Sequence, residues 1–294
     1  MNKHVTIGDY QIGLDFPPFL VAEIGINHNG SLDSAVEMVH LAKMSGANAV
    51  KFQKRTPRIC VPEDQWEKSR ETPWGAMPYI NYKEKLEFNG REYDTISHVC
   101  KEAGLLWFAS VWDIPSLEFI ETYKPPCYKV GSASLPDGPL LDAVKAKGRP
   151  IVLSTGMSTM EEIEEALERL EGVSDLILCH STSIYPCPKE KLNLRFLSTM
   201  HQRWPDMVIG YSGQEQASRS TQGAVGLGAA YIERHFTLDR RGWGTDQAAS
   251  LEHWQFKDMA DRIHETWTAL GDGIKVVYPE EQEKKVTLRK EPVA

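Results

Sequence analysis

The sequence predicts an α/β fold, a (β/α)8 TIM barrel preceded by an N-terminal β-hairpin. Three observations carry that prediction. Short apolar strands alternate with helix-sized segments eight times between residues 19 and 275. The strands lack a polar face, as parallel strands covered on both sides do. Strict alternation over about 250 residues is the pattern of a closed parallel barrel. The competing doubly wound sheet usually has fewer strands and a Gly-x-Gly-x-x-Gly turn after the first, which is absent here.

In chain order, His4–Ile7 and Tyr10–Gly13 flank the turn pair Gly8-Asp9 and read as a hairpin able to close the barrel bottom. Strand Leu20–Ile26 is followed by helix Ser31–Ser45, with Ser31 as N-cap and Gly46 as stop signal. Strand Ala49–Gln53 comes next. Residues 54–91, with four prolines, break the pattern and read as a long loop, either a binding lid or surface decoration. Regularity then resumes. Helix Tyr93–Ala103 leads into strand Leu105–Trp112, helix Pro115–Thr122 into strand Cys127–Ser132, and helix Pro139–Lys147 into strand Ile151–Thr155. Helix Met160–Leu170 leads into strand Leu176–Cys179, helix Leu194–Arg203 into strand Met207–Tyr211, and helix Gln216–Leu227 into strand Ala230–His235. A last helix spans Glu252–Leu270. The expected organisation is a hairpin over 1–18, a barrel over 19–275, and a charged tail over 276–294 that reads as a solvated arm.

The bulk numbers limit the partners. The chain has 294 residues, 41% hydrophobic and 25% charged, with net charge −8. That balance argues against nucleic acid or an anionic membrane as the main partner, and leaves a small anionic substrate open. The five cysteines are odd in number and form no Cys-x-x-Cys pair. They read as reduced thiols in a cytoplasmic protein. No signal peptide is evident, and no run approaches the roughly 18 apolar residues of a membrane span.

In a barrel of this kind, chemistry gathers at the C-terminal ends of the strands. Collecting those ends brings together Glu23, Lys51 and Gln53, Lys129 and Ser132, Ser154, Ser183 and Tyr185, Ser212 and Gln214, and Glu233 with His235. A carboxylate inside a strand costs several kcal/mol unless paired, so Glu23 needs a cation. Lysine is rarely buried unpaired. One such lysine is accounted for by an ion pair with Glu23; two, with several hydroxyls and Gly131 and Gly156, suggest a pocket for phosphate and carboxylate. His235 beside a carboxylate at the barrel mouth is a candidate metal ligand, with His28, Glu23 and Glu233 as candidate partners. Cys179 and His180 fall within a strand and read as core.

These residues lie in motifs that resemble the sialic acid synthase family, the N-acetylneuraminate synthases. The matching segments are Ala22-Glu23-Ile24-Gly25-Ile26-Asn27-His28-Asn29-Gly30, Val50-Lys51-Phe52-Gln53, Tyr128-Lys129-Val130-Gly131-Ser132, Leu153-Ser154-Thr155-Gly156-Met157, Thr182-Ser183-Ile184-Tyr185-Pro186, Ile209-Gly210-Tyr211-Ser212-Gly213 and Ile232-Glu233-Arg234-His235. The resemblance implies a homodimeric enzyme that condenses phosphoenolpyruvate with an aldose such as N-acetylmannosamine. It implies that Lys51, Lys129, Ser132, Ser154, Ser183 and Ser212 hold phosphoenolpyruvate, and that Gln53, Tyr185 and Asp246 face the sugar. Glu23 then acts near the reacting carbons. His235 is one of two histidines holding a divalent metal, Mn2+ or Mg2+.

Three departures from the family pattern stand out. The second metal histidine is replaced by Gln214, whose neutral amide is a poorer ligand than imidazole for a transition metal. Ser134 stands where the family has Glu or Asp, and Thr245-Asp246-Gln247 lacks a histidine seen in some members. The sequence stops at what reads as the linker to a small antifreeze-like domain, so a barrel without that domain is expected. Two other readings stay open. One is a Schiff-base aldolase using Lys129; the other is a catalytically altered homologue that binds phosphoenolpyruvate or a sugar without turnover.

Overall fold

The computed structural model describes residues 3–290. Strands β1 (His4–Ile7) and β2 (Tyr10–Gly13) form an antiparallel hairpin. The barrel begins with β3 (Phe19–Gly25), α1 (Leu32–Met44) and β4 (Ala49–Lys54). An insertion follows, comprising α2 (Pro57–Cys60), α3 (Glu63–Trp66), the short strands β5 (Ser69–Arg70) and β6 (Met77–Pro78), and α4 (Tyr79–Leu86). The alternation then runs α5 (Gly90–Glu102), β7 (Leu106–Val111), α6 (Ile114–Glu121), β8 (Tyr128–Val130), α7 (Gly138–Ala146), β9 (Ile151–Ser154) and α8 (Met160–Arg169). It continues through β10 (Leu176–Ser181), α9 (Phe196–Arg203), β11 (Val208–Gly213), α10 (Arg219–Gly226), β12 (Tyr231–His235) and α11 (His253–Leu270), and α12 (Pro279–Leu288) comes last.

The eight strands from β3 to β12, leaving out β5 and β6, close into one barrel. Each pairs in parallel with its sequence neighbour, and β12 pairs back onto β3. The (β/α)8 architecture expected from the alternation is therefore the fold. The helices begin where side chains satisfy the free N–H groups of the first turn. Ser31 accepts from Ser34 N ahead of α1, Asn89 and Glu92 form a reciprocal box at α5, and Thr159 and Glu162 form another at α8. Helices α1 and α5 to α11 bury apolar residues; Ala35, Met38, Val39 and Ala42 do so for α1.

Two apolar clusters divide the interior. The larger fills the space between strands and helices. The smaller joins the hairpin residues Val5, Ile7 and Ile12 to Phe19, Val21, Ala49, Val152, Ile177 and Val208, which lie in the first halves of their strands. The hairpin thus plugs the N-terminal end of the barrel, which leaves the opposite mouth as the place for a site.

Three expectations need correction. Residues 54–91 are not an unstructured loop. They fold into short helices and a small ribbon, because Ile80, Tyr82, Lys83 and Leu86 give α4 a buried face at helical spacing. Helix α10 starts at Arg219, not Gln216, because the fully buried Arg234 side chain bonds the backbone carbonyls of Glu215 and Ala217 and the Glu215 carboxylate. Those contacts hold residues 215–217 in the stretch that precedes the helix. The tail is not simply an arm: Pro279 at the first turn, Glu281 bonding back to Tyr278 N and Lys285 in the last turn make α12, which is exposed along its length.

Candidate active site

The site is built from the floor upward by strand register. Glu23 on β3 stands opposite Lys51 on β4 and His235 on β12. Ser212 stands opposite Glu233, and Ser110 opposite Lys129. Lys51 Nζ lies 2.6 Å from Glu23 Oε2 and 2.6 Å from Ser110 Oγ, with Glu233 Oε1 at 3.6 Å. Lys129 Nζ lies 3.0 Å from Glu233 Oε2, which also accepts from Tyr231 at 2.7 Å, while Ser212 donates to Glu233 Oε1 at 3.2 Å. All four charged groups are nearly inaccessible.

The two carboxylates differ in consequence. Burial works to raise Glu233, but Lys129 and Lys51 together outweigh it and bring its pKa down to about 2. Glu23 is less strongly matched, and burial keeps its pKa above the ordinary carboxylate value despite Lys51. Burial pulls Lys129 down, and Glu233 more than offsets this, leaving the ammonium firmly charged. One carboxylate is fixed as an anion and the other is poised to exchange a proton.

A bulge in β3 sets the Glu23 side chain. The register against β4 shifts between Glu23 and Gly25, where φ is +54°. A Cβ at Gly25 would fall 2.9 Å from Glu23 Oε1 and 3.0 Å from Gln53 Nε2, across the 3.0 Å hydrogen bond that joins them. Glycine is needed there on both counts.

Above the floor, hydroxyls ring the backbone of Gly156. Ser132 Oγ accepts from Gly156 N at 3.0 Å, and Ser154 Oγ is buried with no partner. A Cβ on Gly156 would come within 2.3 Å of Ser183 Oγ and 2.7 Å of Ser132 Oγ. Higher on the opposite wall are Tyr185, His235 and Asp246. The Tyr185 and His235 rings meet edge to face at 5.8 Å, and His235 Nδ1 lies 3.9 Å from Asp246 Oδ2.

The residues that the resemblance assigns to phosphoenolpyruvate, the sugar and the metal line one cavity of about 280 Å³, from Glu23, Lys51 and Lys129 through the serines to Gln53, Tyr185, His235, Gln214 and Asp246. One candidate metal partner, His28, lies elsewhere. His28 stacks on Phe88 at 4.0 Å and accepts from Gly30 N, and burial lowers its pKa to about 3, so it is a neutral packing residue. Glu233 lines the cavity and is engaged by two lysines, a tyrosine and Ser212. His180, bonded to Leu192 O, and Cys179 are core. Ser134 faces a neighbouring groove with Cys60 and Asp113. Sequence reading missed Arg55, Lys83 and Trp112, which line the mouth. Arg55 continues the Lys51–Gln53 alternation, and Lys83 interrupts an apolar helical face; both signals were available.

The described residues contain no cluster of three or more His, Cys, Asp or Glu of metal-binding type. His235 Nδ1 and Gln214 Oε1 are nevertheless both buried without a hydrogen-bond partner in the same cavity. One imidazole, one amide oxygen and a nearby carboxylate do not suit tetrahedral zinc. They fit a hard cation that keeps much of its own hydration, Mg2+ or Mn2+.

A family model for the NeuB family matches residues 38–275. The chain belongs to the NeuB family. Among its relatives, the N-acetylneuraminate-9-phosphate synthase of Homo sapiens is 34% identical over 286 residues, covering 96% of this chain and 79% of that protein. The N,N'-diacetyllegionaminic acid synthase of Campylobacter jejuni is 31% identical over 285 residues, covering 94% and 84%. The crystal structure of N-acetylneuraminic acid (sialic acid) synthetase from Leptospira borgpetersenii, in complex with citrate, superposes with a TM-score of 0.89 at 28% identity, covering 99% of each chain. The motifs gathered at the mouth of this NeuB-family barrel, apart from Ala22–Gly30, lie within the residues the family model spans.

Proposed function

We propose that this NeuB-family condensing enzyme joins phosphoenolpyruvate to the aldehyde of an open-chain aldose, giving a sialic-acid-like 2-keto-3-deoxy sugar acid and releasing phosphate. The observation that carries this reading is the floor of the site: two buried ammonium groups beneath serine hydroxyls and the Gly156 backbone, a cradle for a small phosphate-bearing carboxylate.

In this reading Lys51, Lys129, Ser132, Ser154, Ser183 and Ser212 hold phosphoenolpyruvate, and Gln53, Tyr185 and Asp246 face the acceptor. C3 of phosphoenolpyruvate attacks the aldehyde carbon, and the aldehyde oxygen takes up a proton. The C2 cation that results is captured by water. Glu23, with its raised pKa and its place beside Lys51, accepts the proton of that water. Loss of phosphate from C2 leaves the ketone, so one water is consumed for each phosphate released. Glu233 stays ionised and offsets the positive charge of the lysines. His235 directs a ring nitrogen into the cavity toward the aldehyde oxygen. A divalent cation held by His235 and Gln214 would polarise that oxygen when bound.

The Schiff-base alternative meets a specific obstacle. A nucleophilic lysine must lose its proton, and Glu233 at 3.0 Å holds Lys129 charged. Borohydride in the presence of pyruvate should therefore leave no covalent adduct. The direct test is phosphate release from phosphoenolpyruvate with a panel of hexosamines, hexoses and pentoses, each run with Mn2+ and with a chelator. Release that depends on an added aldose supports the condensation; none across the panel removes its basis. A homodimer, implied by the resemblance, is part of the same proposal.

A further inference from the structure

The cations at the mouth of the site are matched differently from those on its floor. Lys51 and Lys129 each have a carboxylate within 3.0 Å. Lys83 has none. It is only 8% exposed and lines the same cavity, yet among the described residues its ammonium has no carboxylate within 4.0 Å and donates no hydrogen bond. Its near neighbours are the rings of Tyr79 and Tyr82, each 5.2 Å away. Burial lowers its pKa to about 8; Arg55 and Arg70 push the same way, and Asp246 and Glu87 oppose. A buried, unpaired lysine is costly and uncommon.

Arg55 stands beside it. The Arg55 guanidinium lies 4.1 Å from the Trp112 ring and donates to Gln53 Oε1, and its Nε is 3.8 Å from Glu87. Gln53 in turn donates to Glu23. Lys51, Gln53 and Arg55 thus climb from floor to mouth in steps of about 7 Å along β4 and its extension. A ligand with its reacting end at Glu23 and Gln53 has its far end at Arg55 and Lys83.

We propose that Lys83, with Arg55, binds an anionic group at the far end of the acceptor, and that the acceptor is an aldose phosphate. This rests on the condensing reading above. The floor hydroxyls and lysines are already assigned to phosphoenolpyruvate, and Arg55 has Glu87 at 3.8 Å, so it is the unmatched ammonium of Lys83 that calls for a second anion. An ammonium together with a guanidinium matches the two charges and three oxygens of a phosphomonoester. The acidic side chains nearest the pair, Asp246 and Glu87, do not come within hydrogen-bonding distance of Lys83.

The test compares acceptors in matched pairs: N-acetylmannosamine with its 6-phosphate, and mannose with its 6-phosphate, with glucuronate as the carboxylate arm. Phosphate release from phosphoenolpyruvate is measured for wild type, Lys83→Met and Lys83→Arg, with thermal melts to establish folding and Lys83→Gln as the substitute should Lys83→Met not fold. Wild type is expected to favour the phosphorylated member of an active pair by about 10- to 100-fold in kcat/KM, the range of one or two charge-assisted contacts. Lys83→Met should erase most of that preference and Lys83→Arg should retain it. Equal use of both members, preference for glucuronate, or a preference that survives Lys83→Met overturns the proposal and leaves the condensing reading intact. Should no aldose support phosphate release, the condensing reading fails. Calorimetric titration of N-acetylmannosamine 6-phosphate into protein holding phosphoenolpyruvate then decides the present one: binding that weakens at least tenfold in Lys83→Met supports it, and absent or unchanged binding overturns it.

Discussion

Lys129 Nζ and Glu233 Oε2 lie 3.0 Å apart at the base of the cavity, both almost wholly withdrawn from solvent. Removing Glu233 strands the Lys129 ammonium, which has no other carboxylate within 4.0 Å among the described residues. Replacing one partner of such a pair costs roughly 3–5 kcal/mol, largely the penalty of the orphaned ion. Glu233→Gln should therefore lower unfolding stability by about that amount in urea titrations. A loss under 1 kcal/mol would show that the pair contributes little.

The same pair fixes the response to acid. Glu233 titrates at about 2 in the folded protein against 4.5 for the free side chain. A depressed carboxylate stabilises fully above its unfolded value, and that stability is lost as pH falls through the folded one. Unfolding midpoints should fall between about pH 4.5 and 2, and Glu233→Gln should flatten that slope. Glu23, raised by burial, works in the opposite sense and reduces the slope. A slope identical in wild type and Glu233→Gln would contradict the assignment.

Lys83 should cost stability. Its pKa is about 8 in the fold against 10.5 free, so between those values the unfolded chain binds more protons than the native one. Stability then rises with pH across that window, and the penalty is complete below about 8. Lys83→Met should remove the slope and raise stability at pH 7 by roughly 1–3 kcal/mol. Destabilisation instead would mean that the ammonium has a stabilising partner.

Gly156 has no room for a side chain between the two hydroxyls that flank it. Gly156→Ala must push Ser132 and Ser183 aside. The KM for phosphoenolpyruvate should rise at least about tenfold, the loss of one charge-assisted contact, with the melting temperature little changed. An unaltered KM would place the phosphate elsewhere.

Gln214→His adds an imidazole to the cavity that His235 also lines, where both Gln214 Oε1 and His235 Nδ1 lack partners. The variant should bind Mn2+ more tightly than wild type, since imidazole is the better donor. Paramagnetic titration of the free ion reads this without any assay of turnover. Equal affinity would mean that the two positions do not share an ion.

The barrel was legible because its signals are local and repeat. Apolar strands, capped helices and glycine stops recur in fixed order, and each boundary moved by only a few residues. The errors have specific causes. Arg234, wholly buried in β12, bonds the carbonyls of Glu215 and Ala217 just ahead of α10, and nothing near residue 216 announces that long-range demand. The insertion was judged by its prolines, while the spacing of Ile80, Lys83 and Leu86 already described a helix with one charged residue on its inner face. His28 lies in the same motif as Glu23 but turns onto Phe88, a direction that proximity in sequence does not give.

The hairpin covers the far end of the barrel, so that among the described residues the cavity opens at the strands' C-terminal mouth. Whatever rests on the lysines must pass the Arg55 and Lys83 rim to arrive and pass it again to depart. A molecule lodged at that rim stoppers the one below. If the proposed pair of ligands binds in this way, traffic follows a set order, last in and first out, and an inert occupant of the upper berth would slow escape from the lower one without touching it.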